Sequence, residues 1–312
     1  MQYRKYINKT QVSEIGLGAW QLGENSGWKS MSENEAFEMI NKCIDAGINF
    51  FDTAPIYGHG TSETRLGKAL KSYDRNQFVL NTKFGHSETG ETNFNANQIQ
   101  KSIEGSLKRL QVDFIDTVII HNPPIEYLDG NKNPHYEILE RLMAEGKILG
   151  YGASLDSYKE MKLFMETTNC TVIEAFFNIF HQDAALAFDL AKENEVRIIA
   201  KIPLDSGWLT GKYNTESTFD DIRNRWSIRD IKTRGELVQK LENCIGKENN
   251  LTQTALSFCL AYDAVSTVIP GNTTINQLSN NLESISKPIS KKLIEKLEDF
   301  YQKEVQHLNL PW

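Results

Sequence analysis

INFFDTAPIYGHGTSETRLGKALKSYDRNQFVLNTK, residues 48–83, contains one complete strand–helix–strand unit. INFFD (48–52) is an apolar run of strand length that closes on a carboxylate, and a turn-rich loop, TAPIYGHG, follows it. SETRLGKALKSY (62–73) then spaces its apolar residues as a helix does, and QFVLNTK (77–83) returns to an apolar run that ends on a lysine. Strand, helix and strand in that order imply two parallel strands joined by a right-handed crossover.

The unit repeats on both sides. Towards the N-terminus lie a hairpin (YRKYI and TQVSE), the run IGLG and the helix SENEAFEMINKCIDAG, in which Ser32 and Glu35 form a capping box and Gly47 is the stop. Towards the C-terminus, FIDTVIIH, ILGYGAS, TVIEAFF, VRIIAKIP and STVIPG read as strands. ANQIQKSIEGSLKRL, HYEILERLMAEG, SYKEMKLFMETT, DAALAFDLAKEN and INQLSNNLESI read as helices. In the first of these, Ile99, Ile103, Leu107 and Leu110 share one stripe, the face that would cover a sheet. About eight strand-like runs is the number an α/β barrel requires. An open doubly wound sheet also fits the alternation, but no GxGxxG follows the first strand. The expected fold is therefore α/β, a (β/α)8 TIM barrel with an N-terminal hairpin and long βα loops, forming one domain over residues 1–312. The periodicity loosens between Asp205 and Arg234, which reads as one long functional loop.

Composition excludes several classes. The 34 basic and 41 acidic side chains leave a charge of −7, without the Lys/Arg clusters that a nucleic-acid binder needs. Hydrophobic residues make up 40% of the 312 positions, enough for a core, but no apolar run reaches the roughly 18 residues of a membrane span. The polar N-terminus lacks a signal-peptide core, and Cys43, Cys170, Cys244 and Cys259 lie too far apart to suggest zinc or a disulfide framework. The expected setting is cytoplasmic, with no membrane, nucleic-acid or metal partner and an open oligomeric state.

In such a barrel the active site collects where strands end. Asp52, Lys83 and His121 close three successive strand runs, and Tyr57 sits in the loop after the first. Each has an ordinary alternative. Asp52 could satisfy loop backbone donors, Tyr57 pack on a surface, Lys83 reach solvent and His121 cap a core turn. Together they form an acid–base set: the ammonium favours ionised tyrosine, the carboxylate fixes the ammonium, and the imidazole reaches the same oxygen. A metal-dependent barrel hydrolase would need several histidines at strand ends, and His121 is the only one there.

With GLGAWQLG, FDTAPIYGHGTSETRLGKAL, TKFG, EGKILGYGAS, PLDSGWLTGKY and STVIPG in place, the chain resembles the aldo-keto reductase superfamily over nearly its whole length. The resemblance implies a catalytic tetrad of Asp52, Tyr57, Lys83 and His121, with Tyr57 donating a proton and Lys83 lowering the tyrosine pKa. It implies a nicotinamide cofactor, NADP(H), held by Ser154, Glu174 and Lys201 at one end, although Glu174 and Lys201 stand where the family usually has glutamine and an aromatic residue. Leu204, Ser206, Leu209 and Lys212 would follow the pyrophosphate. Gly271, Asn272, Thr273, Gln277 and Asn281 would meet the adenosine phosphate, and because they lack a basic side chain, NAD(H) is expected to serve as well. Trp20, Trp28, His59, Trp226 and the terminal HLNLPW are expected to wall a pocket for a small carbonyl substrate: a neutral aldehyde, ketone or sugar. The family also contains potassium-channel β subunits, so a cofactor-binding regulatory subunit is the alternative to an NAD(P)H-dependent oxidoreductase.

Overall fold

Period-two alternation along short strands builds this molecule from the inside out. In the computed structural model, which describes residues 1–312 except 26, 30, 247, 248, 286, 287, 309 and 312, an antiparallel hairpin comes first. It consists of β1 (Tyr3–Lys5) and β2 (Gln11–Ser13). Eight parallel strands follow, each pairing with the next: β3 (Leu17–Gly18), β4 (Phe50–Asp52), β5 (Val79–Phe84), β6 (Thr117–Ile120), β7 (Tyr151–Leu155), β8 (Val172–Phe176), β9 (Arg197–Lys201) and β10 (Val265–Ile269). Parallel bridges Ile15–Val268 and Gly18–Gly271 join the first of these to the last, which closes the sheet into a barrel. At this seam a Cβ on Gly18 would lie 2.8 Å from the Ile269 carbonyl, so only glycine lets the strands meet.

Helices alternate with the strands as expected: α1 (Glu33–Asp45), α2 (Thr61–Leu70), α3 (Ile99–Leu110), α4 (His135–Ala144), α5 (Tyr158–Thr167) and α6 (Phe188–Glu193). The Ser32–Glu35 capping box opens α1. On α3, Ile99, Ile103 and Leu110 are buried and Leu107 is half-buried. Three further helices were not legible, α7 (Ile228–Ile245), α8 (Leu251–Leu260) and α10 (Lys291–Phe300), whereas α9 (Ile275–Ser284) was. Among the described residues no helix is long and apolar enough to cross a membrane.

The expected long loop from Asp205 to Arg234 is shorter than read. It contains two 3₁₀ turns, Asp205–Thr210 and Ile222–Arg225, and Ser227 then caps α7 through a box closed by Asp230. Charged residues crowd the start of α7 and hide a stripe of Leu237, Val238, Leu241 and Ile245 that begins only in its second half. In α8 the difficulty is the opposite, because every residue from Thr254 to Leu260 is buried and no polar face marks the period.

Inside the barrel, Phe50, Val79, Ile119, Val172, Ile199 and Ile269 form an apolar layer, sealed from below by Tyr6, Ile7 and Val12 of the hairpin. Burying each such side chain stabilises the fold by about 1.5–3 kcal/mol. Two residues further along the same strands stand Asp52, Asn81, His121, Glu174, Lys201 and Gly271. The pleat therefore lifts a polar layer directly above a dry floor.

Candidate active site

β4 delivers Asp52, and the loop after it carries Tyr57 into the cleft. That loop is held by backbone contact: Gly58 has φ +59°, and a Cβ there would lie 2.4 Å from the Glu24 nitrogen. The motif residues beyond the loop are anchors. Ser62 donates to the Ala19 carbonyl (2.7 Å), and Arg65 donates to the carbonyls of Leu22 (2.5 Å) and Met31 (3.0 Å). Buried Glu63 accepts from Thr82 and from Arg109, both at 2.6 Å. These bonds tie α2 to the first βα loop, to β5 and to α3, so the Tyr57 loop sits on a fixed base.

Around Tyr57 the four expected residues come together. Its ring stacks on Trp20, with centroids 5.5 Å apart and planes 16° apart, and meets the His121 ring edge-on at 5.9 Å. The Lys83 ammonium lies 5.3 Å from the ring centroid. Lys83, itself buried beneath the cleft, donates to Asp52 Oδ1 (2.6 Å) and to the Thr53 carbonyl (3.1 Å). Its ammonium also lies 3.2 Å from Glu174 Oε2. Asn81 reaches both carboxylates, donating to Asp52 (2.7 Å) and Glu174 (3.4 Å) while accepting from Thr117 (2.6 Å).

Burial dominates the electrostatics. Asp52 is pushed up to about 7 by burial and by neighbouring Glu174, against the pull of Lys83 and Asn81. Lys83 remains an ammonium, because Asp52 and Glu174 together outweigh its own desolvation. His121 falls well below its ordinary value through burial and the positive charge of Lys83, with His86 and Lys201 adding to the fall, so its imidazole is neutral. The expected lowering of the Tyr57 pKa is reversed. Lys83 does pull it down, but desolvation of the phenol is larger and the net shift is upward.

The cleft above this cluster has a volume of about 1180 Å³. Trp20, Trp28, Ser154, Glu174 and Lys201 line it near the tetrad; Leu204, Ser206 and Lys212 follow, and Gly271, Thr273, Gln277 and Asn281 lie along its other wall. Several expected residues do not reach it. Leu209 is fully buried beside Trp208, because the 3₁₀ turn at Asp205–Thr210 points it into the core. Asn272 is buried and hydrogen-bonded to the Pro270 carbonyl and to Asn281. His59 has φ +56° and turns to the Glu88 carbonyl (2.9 Å). Trp226 packs between Trp208, Phe219 and Arg234. Of the terminal HLNLPW, Asn309 and Trp312 lie outside the described residues, while the Pro311 carbonyl accepts from Arg234.

The reading of the sequence missed Asn122, which accepts from Lys201 Nζ at 2.8 Å, and Asp156, 3.0 Å from the same ammonium. It also missed Arg223, paired with Asp221 and lying over Trp28, Tyr213 and Phe219. Next to it, Ile222 N–H donates to the Gly27 carbonyl (2.8 Å), so the long loop crosses to the first βα loop over the cleft. A DDxR sequence has no periodic signature that would expose this role. Buried beneath the same loop, Asp205 pairs with Arg234 (3.1 Å) and lies 3.6 Å from His181.

The cleft fits an extended dinucleotide with room for a small substrate, since pockets for drug-sized ligands run to roughly 300–1,000 Å³. Among the described residues, three lining side chains carry buried polar atoms without a protein partner: Gln21 Oε1, Trp28 Nε1 and His121 Nδ1. At the far wall, Thr274 caps α9, and Gln277 Oε1 accepts from both the N–H (2.8 Å) and the hydroxyl (3.0 Å) of Thr273. Among the described residues no group of three His, Cys, Asp or Glu side chains is arranged to hold a metal ion.

The Aldo/keto reductase family matches residues 14–302 of the chain. A protein named aldo-keto reductase YhdN from Bacillus subtilis is 35% identical over 69% of this chain and 66% of its own length. L-galactose dehydrogenase of Arabidopsis thaliana is 30% identical over 89% of this chain and 85% of its own. Among solved structures, the holo form of aldo-keto reductase AKR11C1 from Bacillus halodurans superposes with a TM-score of 0.81 at 26% identity, covering 96% of each chain.

Proposed function

The chain belongs to the aldo/keto reductase family and is an NAD(P)-dependent oxidoreductase that interconverts a carbonyl and an alcohol; on that premise we propose that Tyr57 is its proton donor. The observation that carries this is the convergence of Tyr57 and His121 at the floor of a cleft, with the Lys83 ammonium buried just beneath the Tyr57 ring. When bound, the dinucleotide supplies the hydride. As the carbonyl oxygen gains charge, the Tyr57 phenol gives it a proton. Neutral His121 orients that oxygen and Lys83 stabilises the phenolate left behind, with Asp52 holding the ammonium in place.

Ser154, Glu174 and Lys201 would serve the nicotinamide end, Leu204, Ser206 and Lys212 the pyrophosphate, and Gly271, Thr273, Gln277 and Asn281 the adenosine. Leu209 and Asn272 would act from beneath, by packing and by hydrogen bonding. Trp20 and Trp28, in edge contact at 5.7 Å, would wall the substrate. Neutral carbonyl compounds suit the aromatic wall of Trp20 and Trp28 beside Tyr57; of the four cations lining the cleft among the described residues, Lys201 is paired with Asp156 and Arg223 with Asp221, while Lys29 and Lys212 lie along it as well. The test is to follow nicotinamide absorbance with a panel of aldehydes, ketones and sugars. Tight cofactor binding without turnover on any of them would favour the regulatory-subunit alternative.

Cofactor preference follows from the far wall. A 2′-phosphate there would meet a helix N-terminus whose Thr273 donors already serve Gln277, in a segment, residues 270–283, whose sequence carries no arginine or lysine. A helix terminus contributes about 0.3–1 kcal/mol to anion binding, less than a bidentate arginine. NADH and NADPH should therefore support kcat/KM values within roughly tenfold of one another, about 1.4 kcal/mol. Thr273→Arg should move the ratio towards NADPH. A wild-type preference for NADPH above roughly a hundredfold, about 2.7 kcal/mol, would sink this reading.

A further inference from the structure

Glu174 has no task in the proton-transfer scheme above, yet it is buried in the same charge cluster. Its carboxylate stands 3.2 Å from the Lys83 ammonium and within reach of the Asn81 amide that also binds Asp52. Adjacent register explains the meeting: Asp52 pairs with Asn81 across β4 and β5, while Glu174 projects from β8 on the far side of the same interior layer. Lys83 thus faces two carboxylates, and with Tyr57 as a phenol the trio carries one negative charge when both are ionised.

We propose that Glu174 is a second counter-ion of Lys83, a positioning residue whose charge opposes formation of the Tyr57 phenolate and so keeps the phenol protonated. This deepens the functional reading given above and rests on it for the role of Tyr57. An ammonium shared between two carboxylates and the Thr53 carbonyl has less field to offer a phenolate, and a second anion in a dry site repels that phenolate directly. The shifts agree in direction: burial raises Tyr57 most, Lys83 opposes it, and Asp52 and Glu174 both add to the rise.

The charged and titratable groups facing this cluster come from every side. Asp52 and Tyr57 belong to β4 and its loop, Lys83 to β5, His121 to the end of β6 with His86 behind it, and Lys201 to β9. Tyr6 lies below in the hairpin, where its own pKa is raised by burial and, further down the order of causes, by Asp116, Asp52 and Glu174. His121 is neutral, and Lys201 is engaged by Asp156, Asn122 and Ser154. Glu174 is therefore the charge whose removal relieves Tyr57 while leaving the Asp52–Lys83 bond in place.

The consequence is a reductase whose proton donor persists into alkaline solution, with alcohol oxidation, which needs the phenolate, deferred to higher pH. The experiment is an ultraviolet titration of tyrosinate in the cofactor-free protein. Subtracting the Tyr57→Phe curve from wild type isolates Tyr57, and subtracting Glu174→Gln/Tyr57→Phe from Glu174→Gln does the same in the variant. Glu174→Gln, which keeps the shape and the contact with Asn81, should lower the Tyr57 midpoint by about one pH unit or more. Glu174→Asp, which keeps a carboxylate, should restore it towards wild type. If Glu174→Gln does not fold, Glu174→Met serves in its place. The alkaline limb of kcat/KM for carbonyl reduction should move down by the same interval.

A Tyr57 midpoint unchanged by loss of the charge overturns the proposal, even if Glu174→Gln raises KM for the cofactor, since a plain binding contact would do that. The titration needs no turnover. Failure of wild type to reduce any carbonyl would therefore count against the functional reading while the midpoint still decided the role of Glu174.

Discussion

Tyr57→Phe lowers carbonyl turnover by about 10²–10⁴-fold, the contribution of a positioned general acid, and leaves the dissociation constant of the dinucleotide nearly unchanged. The separation is expected because the phenylalanine ring keeps the stack on Trp20 and the edge contact with His121, losing one hydroxyl. Single-turnover rates, with cofactor binding followed by fluorescence, check both halves. Retention of more than roughly a tenth of wild-type turnover, where chemistry limits the rate, would remove Tyr57 from the acid role. Lys83→Met should be impaired as well, but for a different reason. It leaves Asp52 and Glu174 facing each other without the ammonium, so stability falls together with rate.

Arg234→Met should destabilise the fold by about 3–5 kcal/mol, the usual result of leaving a buried charge unpaired. Arg234 and Asp205 are both fully buried, and the guanidinium also covers the Trp226 ring at 4.5 Å and donates to the Pro311 carbonyl. Urea unfolding should show a lower midpoint with an unchanged slope. A loss under about 1 kcal/mol would mean that the pair is no anchor. Burial works to raise the Asp205 pKa, but His181 and Arg234 outweigh it and hold the carboxyl below its usual range. A folded-state pKa that is depressed gives stability present above the unfolded value and lost as pH falls through the folded one. Wild type should therefore lose stability on acidification through that low range, and Arg234→Met should lose less of it there. Asp205 also opens the turn that carries Ser206, so KM for the dinucleotide should rise in the variant with little change in kcat.

Legibility followed the physics of each segment. Strands of a parallel barrel are buried on both faces, so INFFD, QFVLNTK and FIDTVIIH stood out as apolar runs, and their polar last residues pointed to the site. Helices with one wet face announced themselves by period and cap, as α1 did through Ser32 and Glu35. What escaped was set by long-range contact. Nothing local shows that Glu174 meets Lys83, because the two lie on β8 and β5, strands that are not neighbours. Trp226 and His59 were read as pocket walls on chemistry alone; one is held by Trp208 and Arg234, the other by a carbonyl of the next loop. The direction of the Tyr57 shift failed for a related reason. Charge neighbours are readable from a motif, but the depth of burial that outweighs them is not.

The seam between β3 and β10 also bears on synthesis. Its bridges, Ile15–Val268 and Gly18–Gly271, join residues about 250 positions apart, and beside it Arg4 of hairpin strand β1 holds the carbonyls of Leu260 (2.6 Å) and Val265 (2.9 Å). At roughly 5–20 residues per second, an elongating chain waits on the order of 10–50 s between making β3 and making its partner. Throughout that interval the growing sheet has an unpaired edge on each side, the geometry that recruits strands from other chains. Messages cut short before Val265 would yield products fixed in that state, whereas full-length chains leave it by joining their own two ends. Nascent chains of this protein should therefore depend on holding chaperones until the ring can shut.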